Sequence, residues 1–240
     1  GQAGIVPFGV GFPTAIDGNS WAMLGKDQYH TSFATNQTGP GPTATISWEF
    51  DTGVGNTISQ PVVSADGDIY FGSANGSGKL IKLDKNGEKK WEYATNVSIG
   101  TPAVLSDETV YFGRIGAGGS LAFTALNPDG SKKWDYNDAS TVKAVTVSSK
   151  GEPHFTYSSG NDKLAVLNTD GSLKITVSNS GLNSFTPIVL DNCNIIVARR
   201  VSGNQFFTMY SSNGSQIWDV AYAGTNGNMQ SDPSHDKTTG

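Results

Sequence analysis

One cysteine, Cys193, stands in the whole chain. A single thiol excludes an internal disulfide and any metal cluster built from thiolates. It lies in the apolar run from Ile188 to Val197, where a free cysteine reads as a small buried hydrophobe. Charge is scarce too: charged residues make up 15% of the chain and the formal net charge is −5. No basic stripe forms, so the electrostatic footprint of a nucleic-acid binder is missing. No apolar run reaches the roughly 18 residues that a spanning helix needs, so no membrane span is predicted. The first residues, Gly1-Gln2-Ala3-Gly4-Ile5-Val6, lack the basic and apolar regions of a signal peptide. That start predicts either an intracellular chain or a processed product.

Catalytic constellations are equally thin. The histidines His30, His154 and His235 fall in separate segments. Gly-x-Ser-x-Gly occurs nowhere, and Gly116-Ala117-Gly118-Gly119 sits in a strand-to-strand turn rather than before a helix. It therefore cannot serve as a dinucleotide phosphate cradle. Asp84-Lys85-Asn86-Gly87 has the opening of a calcium loop without its terminal glutamate.

What the chain has in quantity is glycine, 30 residues, and part of that glycine keeps time. A phrase of hairpin turn, short polar step and tryptophan recurs. It reads Leu83-Asp84-Lys85-Asn86-Gly87-Glu88-Lys89-Lys90-Trp91 and then Leu126-Asn127-Pro128-Asp129-Gly130-Ser131-Lys132-Lys133-Trp134. It returns with Gly171, where Ile175 replaces the tryptophan, and with Gly214 before Trp218. The turn glycines Gly87, Gly130, Gly171 and Gly214 are spaced 43, 41 and 43 residues apart. A fixed period in this range is the signature of a repeat architecture.

Within each unit the strand grammar is legible. A proline opens a short apolar strand, as in Pro61-Val62-Val63 and Pro102-Ala103-Val104, a position where no ladder donor is lost. A tight turn leads to an alternating strand such as Ile69-Tyr70-Phe71-Gly72 or Val110-Tyr111-Phe112-Gly113. A third strand follows, and the Asn-Gly or Asp-Gly turn delivers the chain to the tryptophan strand. His154 takes the second-strand place of Tyr70 and Tyr111. Four antiparallel strands in about 43 residues have the dimensions of a propeller blade, and blades must stack to bury both faces. The fold class predicted is therefore all-β, a β-propeller of four-stranded blades, four complete and one partial.

The tryptophans Trp91, Trp134 and Trp218 follow the same hairpin each time, and Trp48 opens the same strand pattern in Trp48-Glu49-Phe50. Their periodicity predicts structural staples between blades rather than platforms for sugars or bases. The doublets Lys89-Lys90 and Lys132-Lys133 read as solvated edge charges that keep sheets from sticking to each other. Sequons at Asn36, Asn75, Asn96 and Asn213 are candidate glycosylation sites if the source glycosylates secreted proteins.

The unit Pro-x-Val, then Asp-Gly-x-Ile-Tyr-Phe-Gly-Ser, then Leu-x-x-Leu-Asp-x-x-Gly-x-x-x-Trp resembles the PQQ-type (quinoprotein-like) β-propeller repeat. Its tail corresponds to that family's tryptophan-docking motif. Residues Trp21 to Thr31 are similar to the lead-in segment that precedes the first blade in many members. The resemblance covers about residues 20–240. It implies the propeller fold, and it implies function only weakly, because many relatives bind no cofactor. Members of the alcohol-dehydrogenase type carry adjacent cysteines and a calcium held by carboxylates, which this chain does not supply. In this family's logic the solitary segment 43–52 completes the last blade.

The domain reading is a lead-in with a Gly/Pro linker at 1–42, then a propeller at 43–240. That propeller comprises a lone strand at 43–52 and blades at about 53–94, 95–137, 138–178 and 179–221. A partial blade follows at 222–240. Four and a half units suit a fragment of a longer propeller, a ring assembled from two or more chains (a homo-oligomer), or a small ring of its own.

The function expected is a non-catalytic scaffold or a binding platform for a protein or glycan ligand. No catalytic residue, cofactor or metal is assigned. The chain is expected to be secreted, periplasmic or on the cell surface. The alternative is an enzyme with a site on the propeller axis, either a PQQ-dependent oxidoreductase or a carbohydrate-active enzyme. Loop residues that could line such a funnel are Tyr29, His30, Arg114, Arg199, Arg200 and Tyr222.

Overall fold

In a computed structural model of the chain, the described residues are 21–30, 45–52, 59–73, 78–95, 97–115, 123–138, 141–159, 161–182 and 185–221. They form four consecutive antiparallel sheets. The first holds β1 (Val62–Val63), β2 (Ile69–Gly72), β3 (Lys79–Leu83) and β4 (Lys89–Ala94), hydrogen-bonded in chain order. The second holds β5 (Ser98–Ile99), β6 (Ala103–Val104), β7 (Val110–Ile115), β8 (Phe123–Leu126) and β9 (Lys132–Tyr136). The third runs β10 (Thr146–Val147), β11 (Pro153–Ser159), β12 (Asn161–Leu167) and β13 (Leu173–Ser178). The fourth runs β14 (Ile188–Val189), β15 (Ile195–Val201), β16 (Asn204–Tyr210) and β17 (Gln216–Ala221).

Two details differ from the sequence expectation. The second sheet has five strands, because β6 covers only Val110 and Tyr111 of the long β7. The open edge at Arg114 and Ile115 is filled by β5. The segment 45–52, read as a lone strand, pairs with no strand among the described residues. Its expected ladder partners belong to the blade begun at 222–240, which lies outside the described residues.

The hairpin turns follow from their glycines. Gly87, Gly130, Gly171 and Gly214 have φ of +85°, +83°, +86° and +86°, a region a side chain reaches only at a cost of about 1–2 kcal/mol. In each turn the glycine N–H closes onto the carbonyl three residues back, as from Gly130 to Asn127 at 2.9 Å. Just beyond each turn the third and fourth strands shift register, between Lys82 and Leu83 in the first sheet and at the equivalent place in the others.

Aromatic residues of the second strands form the core between sheets. Tyr70, Tyr111, Phe112, Phe155 and Tyr157 are fully buried. Phe123 of the second sheet stacks on Phe155 of the third at 4.2 Å between ring centroids. Each such ring contributes about 1.5–3 kcal/mol by leaving water. The register makes Tyr70, Tyr111, His154 and Ile196 equivalent, each lying opposite the first strand.

Candidate functional site

The contact between sheets is the same device repeated. The outer-strand tryptophan of one sheet lies over the turn glycine of the next. A Cβ on Gly87 would sit 2.5 Å from Trp48, one on Gly130 2.8 Å from Trp91, and one on Gly171 2.6 Å from Trp134. The indole N–H of Trp91 donates to the Pro128 carbonyl at 2.9 Å, and that of Trp134 to the Thr169 carbonyl at 3.0 Å. Both acceptors stand two residues before the glycine. At Gly214 the ring is replaced by Ile175, with Val177 beside it. Two residues beyond the indole a second apolar contact recurs. Phe50 meets Phe71 edge-on at 6.3 Å, Tyr93 meets Phe112 at 6.0 Å, and Tyr136 meets Phe155 at 6.1 Å.

The lead-in residues 21–30 sit where the first strands of all four sheets converge. The Trp21 and Val63 backbones exchange N–H to carbonyl bonds at 2.9 and 2.8 Å. Val104 N–H donates to the Ala22 carbonyl at 2.8 Å, and Val189 N–H to the Gln28 carbonyl at 3.0 Å. Val63, Val104 and Val189 are equivalent positions, the last residue of each first strand. The third sheet is reached by a side chain: His30 Nε2 lies 3.1 Å from Thr146 Oγ1. That hydroxyl donates to the Pro187 carbonyl at 2.7 Å, so its single proton is used and His30 Nε2 is the donor. Met23, Gln28 and His30 are all buried. The segment therefore bridges the four sheets at the end where first and second strands join.

Tyr29 belongs to the same cluster. Its hydroxyl donates to Asp191 Oδ1, in the turn between β14 and β15, which Gln28 Nε2 also approaches at 3.4 Å. Burial and the Asp191 carboxylate push the Tyr29 phenol up to about 12, so it stays a neutral hydrogen-bond donor at physiological pH.

A charged cluster marks the seam between the first two sheets. Lys82, with a side chain only 4% exposed, meets Asp68 at 3.1 Å and Glu108 of the second sheet at 2.7 Å. Lys90 reaches the same Asp68 at 2.7 Å. Burial alone would raise the Asp68 carboxyl, but the hydrogen-bonded Lys90 and Lys82 ammonium groups hold it below its ordinary range. In the other sheets the place of Lys82 is taken by Ala125, Val166 and Met209. Glu108 adopts φ of +61° where the first and third sheets have Gly67 and Gly151. The seam thus combines a buried ion cluster with an unfavourable backbone.

Two further sets are internal to single sheets. Arg114 donates to Thr124 at 3.1 Å, and Thr124 to Asp135 at 2.8 Å. Arg199 donates to Thr208 at 2.7 Å and to Asp219 at 2.6 Å, and Thr208 to Asp219 at 2.5 Å. The same three residue types therefore cross strands two, three and four of both the second and the fourth sheet. Burial of Asp219 opposes its charge, yet Arg199 and Thr208 hold its carboxyl low. A polar triad built into the sheet is what these arginines serve, while Arg200 is exposed.

His154 is buried, and its Nδ1 lies 2.9 Å from the Glu152 carbonyl. Burial pushes its imidazole down to about 4, so the ring is neutral at physiological pH. Of the lysine doublets, Lys89 and Lys132 pair along their own strands with Glu92 and Asp135 at 2.9 Å each. Lys90 and Lys133 instead lean across the sheet to Asp68 and Thr109, so the doublets are more than solvated charge. Cys193 is buried with φ of +61°.

Trp218 is half-buried on β17. Among the sequons, Asn213 lies in the exposed turn before β17, where its Oδ1 accepts the Ser215 N–H at 3.1 Å. Asn36, Asn75, Asn96, Tyr222, His235 and Gly116 to Gly119 lie outside the described residues. No group of three or more metal-ligating side chains gathers among the described residues. No helix there is long and apolar enough to cross a membrane.

The roles of Gln28, Asp191 and Thr146 had no signal in the sequence, because the segment that gathers them is not repeated. The two triads did have one: arginine, threonine and aspartate stand at matching places in two units.

No protein-family model and no curated protein sequence matches the chain. Solved structures do. The Dos1 propeller superposes with a TM-score of 0.51 at 14% identity, covering 70% of this chain and 49% of the other. TolB from Acinetobacter baumannii gives a TM-score of 0.49 at 16% identity, covering 68% and 43%. A protein of unknown function from Bacteroides caccae gives 0.49 at 10% identity, covering 69% and 67%. The matched part of this chain thus spans about half or less of the length of the Dos1 propeller and TolB chains. At such identities the likeness concerns fold alone, and the fold is of the β-propeller kind.

Proposed function

We propose that this chain is a non-catalytic propeller module of the quinoprotein-like repeat type, working outside the cytoplasm as a scaffold or a binding platform for a protein or glycan. One observation supports the reading: the chain's own residues 21–30 lie across the ends of the first strands, where a site centred on the blades would open. Met23, Gln28 and His30 are buried there, and backbone bonds hold the segment to the first strands of three sheets. The residues of greatest chemical reach support it as well. Arg114, Arg199, Lys82 and His154 are committed to partners within or between sheets.

Titration of the full-length protein with pyrroloquinoline quinone and Ca²⁺, followed by tryptophan fluorescence and by dye reduction with alcohols or sugars, tests this. The expected result is neither saturable quenching nor turnover. Either would overturn the non-catalytic reading. A glycan array on the same protein separates the glycan from the protein-binding version of the platform.

A further inference from the structure

The residues that precede the turn glycines Gly87, Gly130, Gly171 and Gly214 are Asn86, Asp129, Asp170 and Asn213. In the second and third units the aspartate orders the turn. Asp129 Oδ1 accepts the Ser131 N–H at 2.9 Å and its hydroxyl at 2.6 Å, and Asp170 Oδ1 accepts the same pair from Ser172 at 2.9 and 2.6 Å. In the fourth unit Asn213 Oδ1 takes that place, accepting the Ser215 N–H at 3.1 Å and the Ser211 hydroxyl at 2.5 Å. In the first unit the task passes to Asp84. Its Oδ1 accepts the N–H groups of Asn86 and Glu88 at 2.8 and 2.9 Å, and its Oδ2 accepts from Asn86 Nδ2 at 3.3 Å. All four residues before the glycines are exposed. Asp129 is exposed with the following sheet in place, so this position faces solvent whatever packs beyond the fourth sheet.

We propose that Asn213 is a site of spontaneous deamidation selected by the fold, and that Asn86, in the same Asn-Gly dipeptide, is protected. In the reaction the Gly214 nitrogen bonds to Asn213 Cγ, the Cγ–Nδ2 bond breaks, and ammonia leaves with the proton of the glycine nitrogen. Water then opens the cyclic imide at either carbonyl to give aspartate or isoaspartate, and nothing is oxidised or reduced. Negative charge develops on Oδ1 as the ring closes. At Asn213 two donors already point at that oxygen, the arrangement that stabilises an oxyanion. At Asn86 the Asp84 carboxylate lies against the amide instead. There it repels the developing charge and holds the leaving nitrogen. The glycine N–H donates to the carbonyl three residues back in both turns, at 3.0 Å from Gly87 and 2.8 Å from Gly214, so this restraint does not separate the two. An aspartate product at 213 copies the turns of the second and third units. An isoaspartate product lengthens the backbone beside Gly214, whose Cβ position lies only 2.8 Å from Ile175 of the preceding sheet. The inference goes beyond the platform reading and is independent of what the module binds.

The test is incubation of the full chain at mildly alkaline pH, folded and in urea, with peptide mapping by mass spectrometry at each asparagine. Labelling with an isoaspartate methyltransferase counts the isoaspartate fraction. In the folded chain Asn213 should convert several-fold faster than Asn86, and in urea the two should convert alike. Ser211→Ala removes one donor to Oδ1 and should slow conversion at Asn213 several-fold, with circular dichroism reporting the fold. Asp84→Asn, which copies Asn127 and Asn168, gives a second reading if the first variant folds poorly: conversion at Asn86 should speed up. Equal rates at the two sites of the folded chain overturn the proposal, as does a preference for Asn213 that persists in urea. A folded Ser211→Ala chain that converts at the original rate, or an Asp84→Asn chain in which Asn86 reacts no faster, overturns it too.

Discussion

Trp91 lies so close over Gly130 that a methyl group on the glycine would meet the indole Cδ2 at 2.8 Å, while the indole N–H donates to the carbonyl of Pro128 at 2.9 Å. The turn that ends one hairpin is therefore also the socket for the preceding sheet, and the glycine serves both purposes. Its positive φ shapes the turn, and its bare Cα admits the ring.

These two roles can be separated. Gly203 has φ of +85° but nothing within 4 Å of where its Cβ would lie. Gly203→Ala should cost only the left-handed backbone penalty, about 1–2 kcal/mol. Gly130→Ala should cost that and about 1–3 kcal/mol more for overpacking against Trp91. Urea unfolding of the two variants measures the difference. Equal losses would mean that the ring contact contributes nothing.

The third unit departs from the rule, since Ile175 stands in the tryptophan place with Ile175 Cγ2 2.8 Å from the Cβ position of Gly214. Ile175→Trp should stabilise the protein by about 1 kcal/mol, as restoring a consensus residue often does. Its indole N–H would find the Ser212 carbonyl, the counterpart of Pro128 and Thr169. Trp134→Ile should do the reverse and cost about 2 kcal/mol in buried area and one hydrogen bond. Thermal melting of both, read together, tests the equivalence.

Acid should act on His154 before it acts on the carboxylates. Its folded pKa, about 4, lies below the ordinary value of 6.5, so the unfolded chain binds the proton first. The stability that comes with the neutral ring is complete above about pH 6.5 and is lost as pH falls toward 4. The full loss is on the order of 3 kcal/mol. Asp68 and Asp219, held low by their cationic partners, lose their contributions only at still lower pH. His154→Tyr, which copies Tyr70 and Tyr111, should flatten the limb between pH 6.5 and 4 and leave the more acidic limb in place. Denaturation midpoints taken across that range decide it.

The seam cluster makes a sharp prediction of non-additivity. Lys82→Met copies Met209 of the fourth sheet but leaves Glu108 facing the seam without its 2.7 Å partner. It should cost about 2–3 kcal/mol. Glu108→Gly copies Gly67 and Gly151, removes the stranded carboxylate and relieves the φ of +61°. The double variant should therefore be more stable than Lys82→Met alone, with a coupling of about 1–3 kcal/mol in a double-mutant cycle. Simple additivity would show that the two charges do not sense each other.

Much of the scaffold was legible because turns speak locally. An Asn-Gly or Asp-Gly pair between alternating strands needs no distant information, and repetition at 43, 41 and 43 residues multiplies the signal. The second-strand equivalence of His154 with Tyr70 could be read in the same way. Lys82 was not legible: nothing in its neighbours says that it lies inward, beside a carboxylate 26 residues away. Arg114 and Arg199 looked like funnel residues because a charged side chain at a strand end usually reaches solvent. Their threonine and aspartate partners sit one and two strands over. The segment 21–30 was recognised as a lead-in, but its destination depends on four sheets at once, and no period encodes that.

The segment 21–30 also imposes an order on synthesis. Residues 21–30 leave the ribosome before any sheet exists, yet Gln28 finds its partners at Val189 and Asp191, the latter 163 residues later. At about 5–20 residues per second, roughly 8–30 seconds separate the two ends of that contact. Throughout that interval the segment can clasp the first and second sheets as they appear, but its last attachment waits for the fourth. A stretch that emerges before every sheet is thus among the last to be secured, and a nascent chain arrested before residue 189 carries this bridging piece half fastened.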